Sequence, residues 1–430
     1  MLLRKAFFAF LSLSLCILIH LTASEYCTKL ENASSALQTN PAQFASIASG
    51  AEKFGLELFS LISTQAADND FVISPFSVWA LLLLLLEAAS ENTLDELNTV
   101  LRINQDRQAL RQAFNVVQQF LLRKTSTIHV ESLQAMYYDT FERFGQDYIT
   151  TLTSCYNAKV QNLSFNDTKT SVNFINNAIN TETKGLIKDA ITEADLENAK
   201  LLLTSSLYFK GQWQFPFNRS ETRRETFYDM NGKPVGEVEM MFQMTPFNYT
   251  RMQDLQAHVL ELPYGNENRL CMLAILPNKG ISVNQVAQSL QKLGVRPIFN
   301  KLEEDALNFG EQEVEVYVPR FETSTSISLR GTLEAMGIKS IFNPQTVNLG
   351  ILSKSLFVKD VIQSTKIIVN EEGTEAAAVV AAILTNKISP PKFYFNRPFL
   401  YLIAEKRSST LLFAGQLSTP KLLKNVRVHY

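Results

Sequence analysis

Side chains able to do chemistry are sparse in this sequence and poorly grouped. Beyond residue 24 there are three histidines, His129, His258 and His429, none with an acidic or cysteine partner at metal-ligand spacing, so no metal site is expected. No G-x-S-x-G, no phosphate-binding loop and no G-x-G-x-x-G occurs, which removes the usual signatures of hydrolases and nucleotide enzymes. A Ser-His-Asp triad assembled from distant positions survives only as an unsupported alternative, and neither a cofactor nor enzymatic activity is expected. Cys16 lies in the apolar N-terminal stretch, leaving Cys27, Cys155 and Cys271. With three thiols, at least one is free or paired between chains, and the chain is no disulfide scaffold. Cys271, inside the apolar run Leu270 to Leu276, reads as a buried free thiol.

Charge points to partners only weakly. Net charge is −2, and removing Arg4 and Lys5 leaves 38 basic against 42 acidic residues, which gives no reason to expect nucleic acid. Arg107 and Arg111 lie four apart and could share a helix face beside Arg102, Arg123 and Lys124, a candidate site for a polyanion such as a glycosaminoglycan. A solvated helix face is the plainer reading. Arg4 and Lys5, the apolar stretch Ala6 to Leu21 and the small residues Thr22, Ala23 and Ser24 follow the order of a secretory signal peptide, with cleavage expected after Ser24. A retained anchor is the alternative; His20 and the small residues favour cleavage, so a secreted protein with no membrane association is expected. Five N-x-S/T sequons, at Asn32, Asn162, Asn166, Asn218 and Asn248, agree with a secreted glycoprotein.

The elements that would position any site read as α+β. With 46% apolar and 19% charged residues and no linker-like segment, one large domain over 42–420 fits, and the chain is expected to act as a monomer. A signal segment at 1–24, an extension at 25–41 and a short basic tail at 421–430 flank it. Helical spacing appears at 42–63, 92–101 and 108–122, and the run Leu81 to Leu86, closed by Glu87, reads as a buried helix. Strands are predicted at 201–209, 258–263, 270–277, 314–319, 399–403 and 411–417. Helices thus precede strands, which suggests antiparallel sheets.

Several segments, in fixed order from Phe71 to Pro420, resemble the serpin family. They are F-V-I-S-P-F-S at 71–77 with Ser74 and Ser77, L-Y-F-K-G-Q-W at 207–213 ending at Trp213, E-L-P-Y at 261–264, V-P-R-F at 318–321, L-E-A-M-G-I at 333–338, F-N-R-P-F at 395–399 and F-A-G-Q-L-S-T-P at 413–420. The resemblance implies three β-sheets, about nine α-helices and an exposed reactive-centre loop. It also assigns the segment at 371–392: Glu371, Glu372, Gly373, Thr374, Glu375, Ala376, Ala377 and Ala378 are similar to the family's hinge, and Lys387–Ile388 holds the place of the reactive bond. Lys387 stands sixteen residues after Glu371 and nine before Asn396, the spacing of the family's specificity residue. A lysine there implies a trypsin-like serine protease as covalent partner, its pocket aspartate receiving the ammonium.

The hinge also makes physical sense. A loop that becomes a buried central strand needs small side chains on its inward face, and Thr374, Ala376, Ala378, Val380 and Ala382 fall on one face of an extended chain. Composition alone would make the alanine run a helix; the flanking motifs reverse that. Three departures from the family pattern stand out. Ser205 and Gln363 occupy the places of a bonded asparagine and histidine, Ala178 replaces a common tryptophan, and Val379 is bulky for a hinge. The small hinge residues favour an inhibitor over the alternative, a non-inhibitory carrier, chaperone or ligand-binding serpin.

Overall fold

In the computed structural model the spacing expected for a first helix becomes α1 (Pro41–Ala66), which turns Ile47, Phe54, Leu58 and Ile62 inward. The structure describes residue 27 and residues 41–310, 312–352, 356–374 and 390–420. After α1 come β1 (Phe71–Ile73), α2 (Pro75–Leu86), α3 (Glu91–Leu101), α4 (Arg107–Leu121), β2 (Ile128–Asp139), α5 (Gln146–Cys155), β3 (Lys159–Leu163), α6 (Thr168–Glu182), α7 (Glu193–Leu196) and β4 (Leu201–Gln212). A second run holds β5 (Arg223–Tyr228), β6 (Pro234–Thr245), β7 (Tyr249–Met252), β8 (Ala257–Tyr264), β9 (Leu270–Pro277), α8 (Val283–Leu293), α9 (Arg296–Phe309), β10 (Val314–Pro319), β11 (Phe321–Ser328) and α10 (Arg330–Met336). The chain closes with β12 (Val358–Val369), β13 (Gly373–Thr374), β14 (Lys392–Tyr394), β15 (Phe399–Glu405) and β16 (Leu411–Leu417).

The strands form three sheets, as the resemblance implied. The large one runs β11-β12-β4-β2-β3, with β13 added on β4; a second runs β1-β16-β15-β9-β8-β7 and a third β14-β10-β6-β5. Helix α2 is wholly buried, so the leucine run is the core helix its sequence predicted. Around it the main core joins the inner face of the large sheet, including Leu203, Leu207 and Phe209, to the second sheet. Helix α6 covers the outer face, where Ile175 and Ile179 pack with Leu133, Ala135, Tyr137, Leu202 and Ile362.

Helices do not simply precede strands. The twelve-residue β2 lies early, and α8, α9 and α10 lie late. Strand β2 lacks a clean alternation because helix α6 covers one of its faces and the core the other, so both faces are apolar and Leu133 to Asp139 is buried throughout. Cys27 and Cys155 form a disulfide closing 128 positions, and Cys271 is the buried free thiol expected. Apart from Cys27 and Pro41, the first residue of α1, the signal and extension segments lie outside the described residues, as does the tail.

Candidate functional site

The expected hinge meets the large sheet where two of its strands part. Strands β4 and β12 pair in parallel from Val358 opposite Leu201 to Thr365 opposite Leu207. Beyond that point β4 runs on to Gln212, and Gly373 and Thr374 pair antiparallel with Gln212 and Gly211. Strand β2 already occupies the other side of Gly211, through Ile128, so β13 sits on the β12 side of β4. The hinge thus begins as the first two residues of a strand between β4 and β12.

This start is firmly fixed. Asn370 and Gly373 exchange backbone hydrogen bonds of 2.9 and 3.2 Å, and the turn they close presents its carbonyls to β4's continuation. Trp213 N–H donates to the Glu372 carbonyl at 3.0 Å, Phe217 N–H to that of Glu371 at 2.7 Å, and the Trp213 indole to that of Asn370 at 3.0 Å. The indole is held in turn by stacking on Tyr264, with centroids 4.4 Å apart. Gly373 has φ +131°, and a Cβ there would lie 2.2 Å from the Gly211 carbonyl oxygen, so only glycine fits. The Glu371 carboxylate is 2% exposed and accepts from the Thr222 hydroxyl at 2.7 Å, with Arg320 Nε 3.5 Å from its other oxygen. Glu372 pairs with Arg219 at 2.7 Å on the surface.

Midway along the seam the arrangement differs. Gln363, fully buried, lies opposite Ser205, but its side chain bonds Ser74: its amide donates to the Ser74 carbonyl at 2.9 Å and its oxygen accepts from Ser74 N–H at 3.0 Å. Only a 3.5 Å contact reaches Ser205 Oγ. From Ser74 hydroxyl contacts lead to Ser77 at 2.8 Å and Ser132 at 3.3 Å, and Gln134 donates to Ser132 at 2.6 Å. A polar chain therefore joins β12 to β2 by way of the start of α2, passing β4 by. The Ser206 hydroxyl of β4 is buried without a hydrogen-bond partner among the described residues, and the Thr204 hydroxyl meets the Tyr137 phenol of β2.

Ser74, Ser77, Ser205, Trp213, Gln363, Glu371, Glu372 and Gly373 thus lie along one seam. Lys387, Ile388 and Glu375 to Ala378 lie outside the described residues, as does Asn32. Asn162 and Asn166 are exposed, Asn248 is exposed with its amide donating to Glu261 at 3.0 Å, and Asn218 is half-buried and accepts from Ser220. Sequence reasoning missed Asn370, Arg219, Thr222, Arg320, Ser132 and Gln134. Arg219 and Thr222 reach their partners across 153 and 149 positions, a distance at which no local pattern signals them.

Two members of the basic cluster, Arg107 and Arg111, are engaged within the fold. Arg111 forms a bidentate pair with Glu87, which is 3% exposed, at 2.9 and 2.6 Å, and Tyr156 donates to the same carboxylate at 2.6 Å. Arg107 donates to the carbonyls of Leu86 and Ala89 at the end of α2. Arg102, Arg123 and Lys124 remain about half exposed, facing Glu57, Glu267 and Glu131. Burial and the Glu87 carboxylate beside it hold the Tyr156 phenol well above its ordinary range, as a donor.

The family model described as Serpin (serine protease inhibitor) matches residues 49–420. Human Serpin B3 is 30% identical over 391 residues, covering 86% of this chain and 98% of its own length. Serine protease inhibitor 2 of Anopheles gambiae is 31% identical over 372 residues, covering 82% of this chain and 88% of its own. Among solved structures, human glycosylated kallistatin superposes with a TM-score of 0.79 at 25% identity, over 88% of this chain and 99% of that one.

Proposed function

The chain belongs to the serpin family, and from that premise we propose that it is a secreted suicide-substrate inhibitor of trypsin-like serine proteases. Serpins are mostly protease inhibitors, with some non-inhibitory carriers, and are not enzymes in general. The observation that carries the inhibitory reading is the pairing of Gly373 and Thr374 with Gln212 and Gly211. Continued residue by residue, that register would set Leu384 opposite Leu201, so residues 373–384 span all of β4. Ala376, Ala378 and Ala382 would then share a face with Phe209, Leu207 and Leu203, which already fill the core. Opposite residues of an antiparallel pair point the same way, so this face has room only for small side chains.

In this reading the protease's serine Oγ attacks the Lys387 carbonyl carbon, the bond to the Ile388 nitrogen breaks, and that nitrogen leaves with a proton. Lys387 remains esterified to the protease while the freed segment inserts as a new central strand. About a dozen residues each gaining roughly 1 kcal/mol net of hydrogen bonding supply on the order of 10 kcal/mol, enough to distort an attached protease before the ester hydrolyses. Export is supported by the Cys27–Cys155 disulfide, a bond that persists in oxidising compartments.

Mixing the protein with trypsin tests the reading. A trypsin adduct that survives boiling in detergent is expected, with Ile388 as the new N-terminus, and Lys387→Leu should abolish it and shift activity toward chymotrypsin-like proteases. A different new N-terminus would overturn the assignment of Lys387, and complete cleavage without adduct would overturn inhibition.

A further inference from the structure

The large sheet ends in β3, and among the described residues no strand pairs with its far side. Such an edge presents unpaired backbone amides and carbonyls, a template for a strand of another molecule. Within the strand itself charge sits at one end only: Lys159, its single charged residue, pairs with Glu182 of α6 at 2.5 Å. At the other end Thr140 N–H donates to the Leu163 carbonyl at 3.1 Å, which brings the turn after β2 against the strand. That turn carries Phe141, 81% exposed, the kind of apolar surface that drives association.

Two of the five sequons sit at this unprotected end. Asn162 is on β3 itself and Asn166 lies four residues on, just before α6; both are exposed. Among the described residues the Asn162 carboxamide oxygen accepts from its neighbour Gln161 at 3.3 Å. Asn218 and Asn248, by contrast, use their carboxamides structurally, in a cap and in the bond to Glu261. We propose that a glycan on Asn162 or Asn166 is a guard on the β3 edge that keeps a second copy of this chain from pairing there. A hydrated, bulky glycan does for this end of the strand what charge does for the other. The inference rests on the export part of the proposed function and is independent of the reactive bond.

Protein from a secretory host should carry a glycan at Asn162 or Asn166 by peptide mapping. Asn162→Gln with Asn166→Gln should then form oligomers several-fold faster than wild type on mild heating, followed by light scattering. Adding Phe141→Glu, or replacing Asn162→Gln by Asn162→Lys to restore an edge charge, should return the rate to that of wild type, whereas Asn248→Gln should leave it unchanged. Glycans on Asn218 or Asn248 with none on Asn162 or Asn166 would overturn the guard and leave export standing; no glycan at any sequon would overturn both. A double variant that stays as monomeric as wild type, or one that neither rescue slows, would also overturn it. The trypsin adduct should be the same in all these proteins, so its loss in wild type reports on inhibition alone.

Discussion

The seam between β4 and β12 is held in two different ways along its length. At the hinge end, backbone bonds from Trp213 and Phe217, the buried Glu371 carboxylate and the close approach of Gly373 to Gly211 fix the incoming strand in register. In the middle, the side chain placed to bridge the strands turns away: Gln363 binds Ser74 at the start of α2 and touches Ser205 only at 3.5 Å. The difference divides two tasks. The hinge end sets where a strand begins, and the middle sets how readily the sheet parts, with β12 tied to α2 while β4 is held across the seam by little besides its backbone ladder.

The largest effect should come from breaking the hinge end. Gly373→Val places a branched side chain where even a Cβ meets backbone at 2.2 Å, at a φ that valine avoids. Strain of roughly 1–3 kcal/mol plus the clash should cut adduct formation with trypsin by about tenfold or more, with cleavage after Lys387 retained. Restoring the family's pair should sharpen the contrast: Ser205→Asn with Gln363→His would couple β12 to β4. One net hydrogen bond of about 1 kcal/mol corresponds to roughly fivefold slower insertion, read as a larger share of protease released. Equal partition in wild type and the double variant would show that the middle of the seam does not set the rate.

A smaller test lies where the chain leaves the far side of the loop. Phe393 of β14 stands edge-on to His258, with centroids 6.1 Å apart. Partial burial first, then the nearby Arg251 and Arg397 guanidiniums, lower the His258 pKa below 6.5. A folded-state pKa below the unfolded one means that this contribution to stability is complete above about pH 6.5 and is lost as pH falls through the folded value. His258→Gln should therefore lose less thermal stability than wild type between about pH 7 and 5. Parallel pH profiles would contradict it.

How much of this was legible in the sequence depended on whether meaning was local. The hinge, Trp213 and the paired serines sit in short segments of fixed order, and the α2 leucine run declares its own burial. Strand β2 did not, because cover on both faces erases alternation. Nor could Gln363 be assigned a partner, since Ser74 lies 289 positions away and only the fold makes them neighbours. Nor did the sequence show which members of the basic cluster are engaged, since Glu87, which holds Arg111, is 24 positions off and buried.

The central claim is that inhibition requires the strand begun at Gly373 and Thr374 to continue between β4 and β12. Thr374→Arg tests it most directly, because in the proposed inserted strand position 374 falls on the same inward face as Ala376, Ala378 and Ala382, so insertion would bury the new charge. An unpaired buried charge costs several kcal/mol, and it falls at the opening step, before many new hydrogen bonds offset it. Lys387 lies thirteen residues away, so trypsin should still cut after it at a similar rate. The account predicts a protein that is cleaved and releases active trypsin with no stable adduct. If Thr374→Arg traps trypsin as completely as wild type does, strand insertion is not how this protein inhibits.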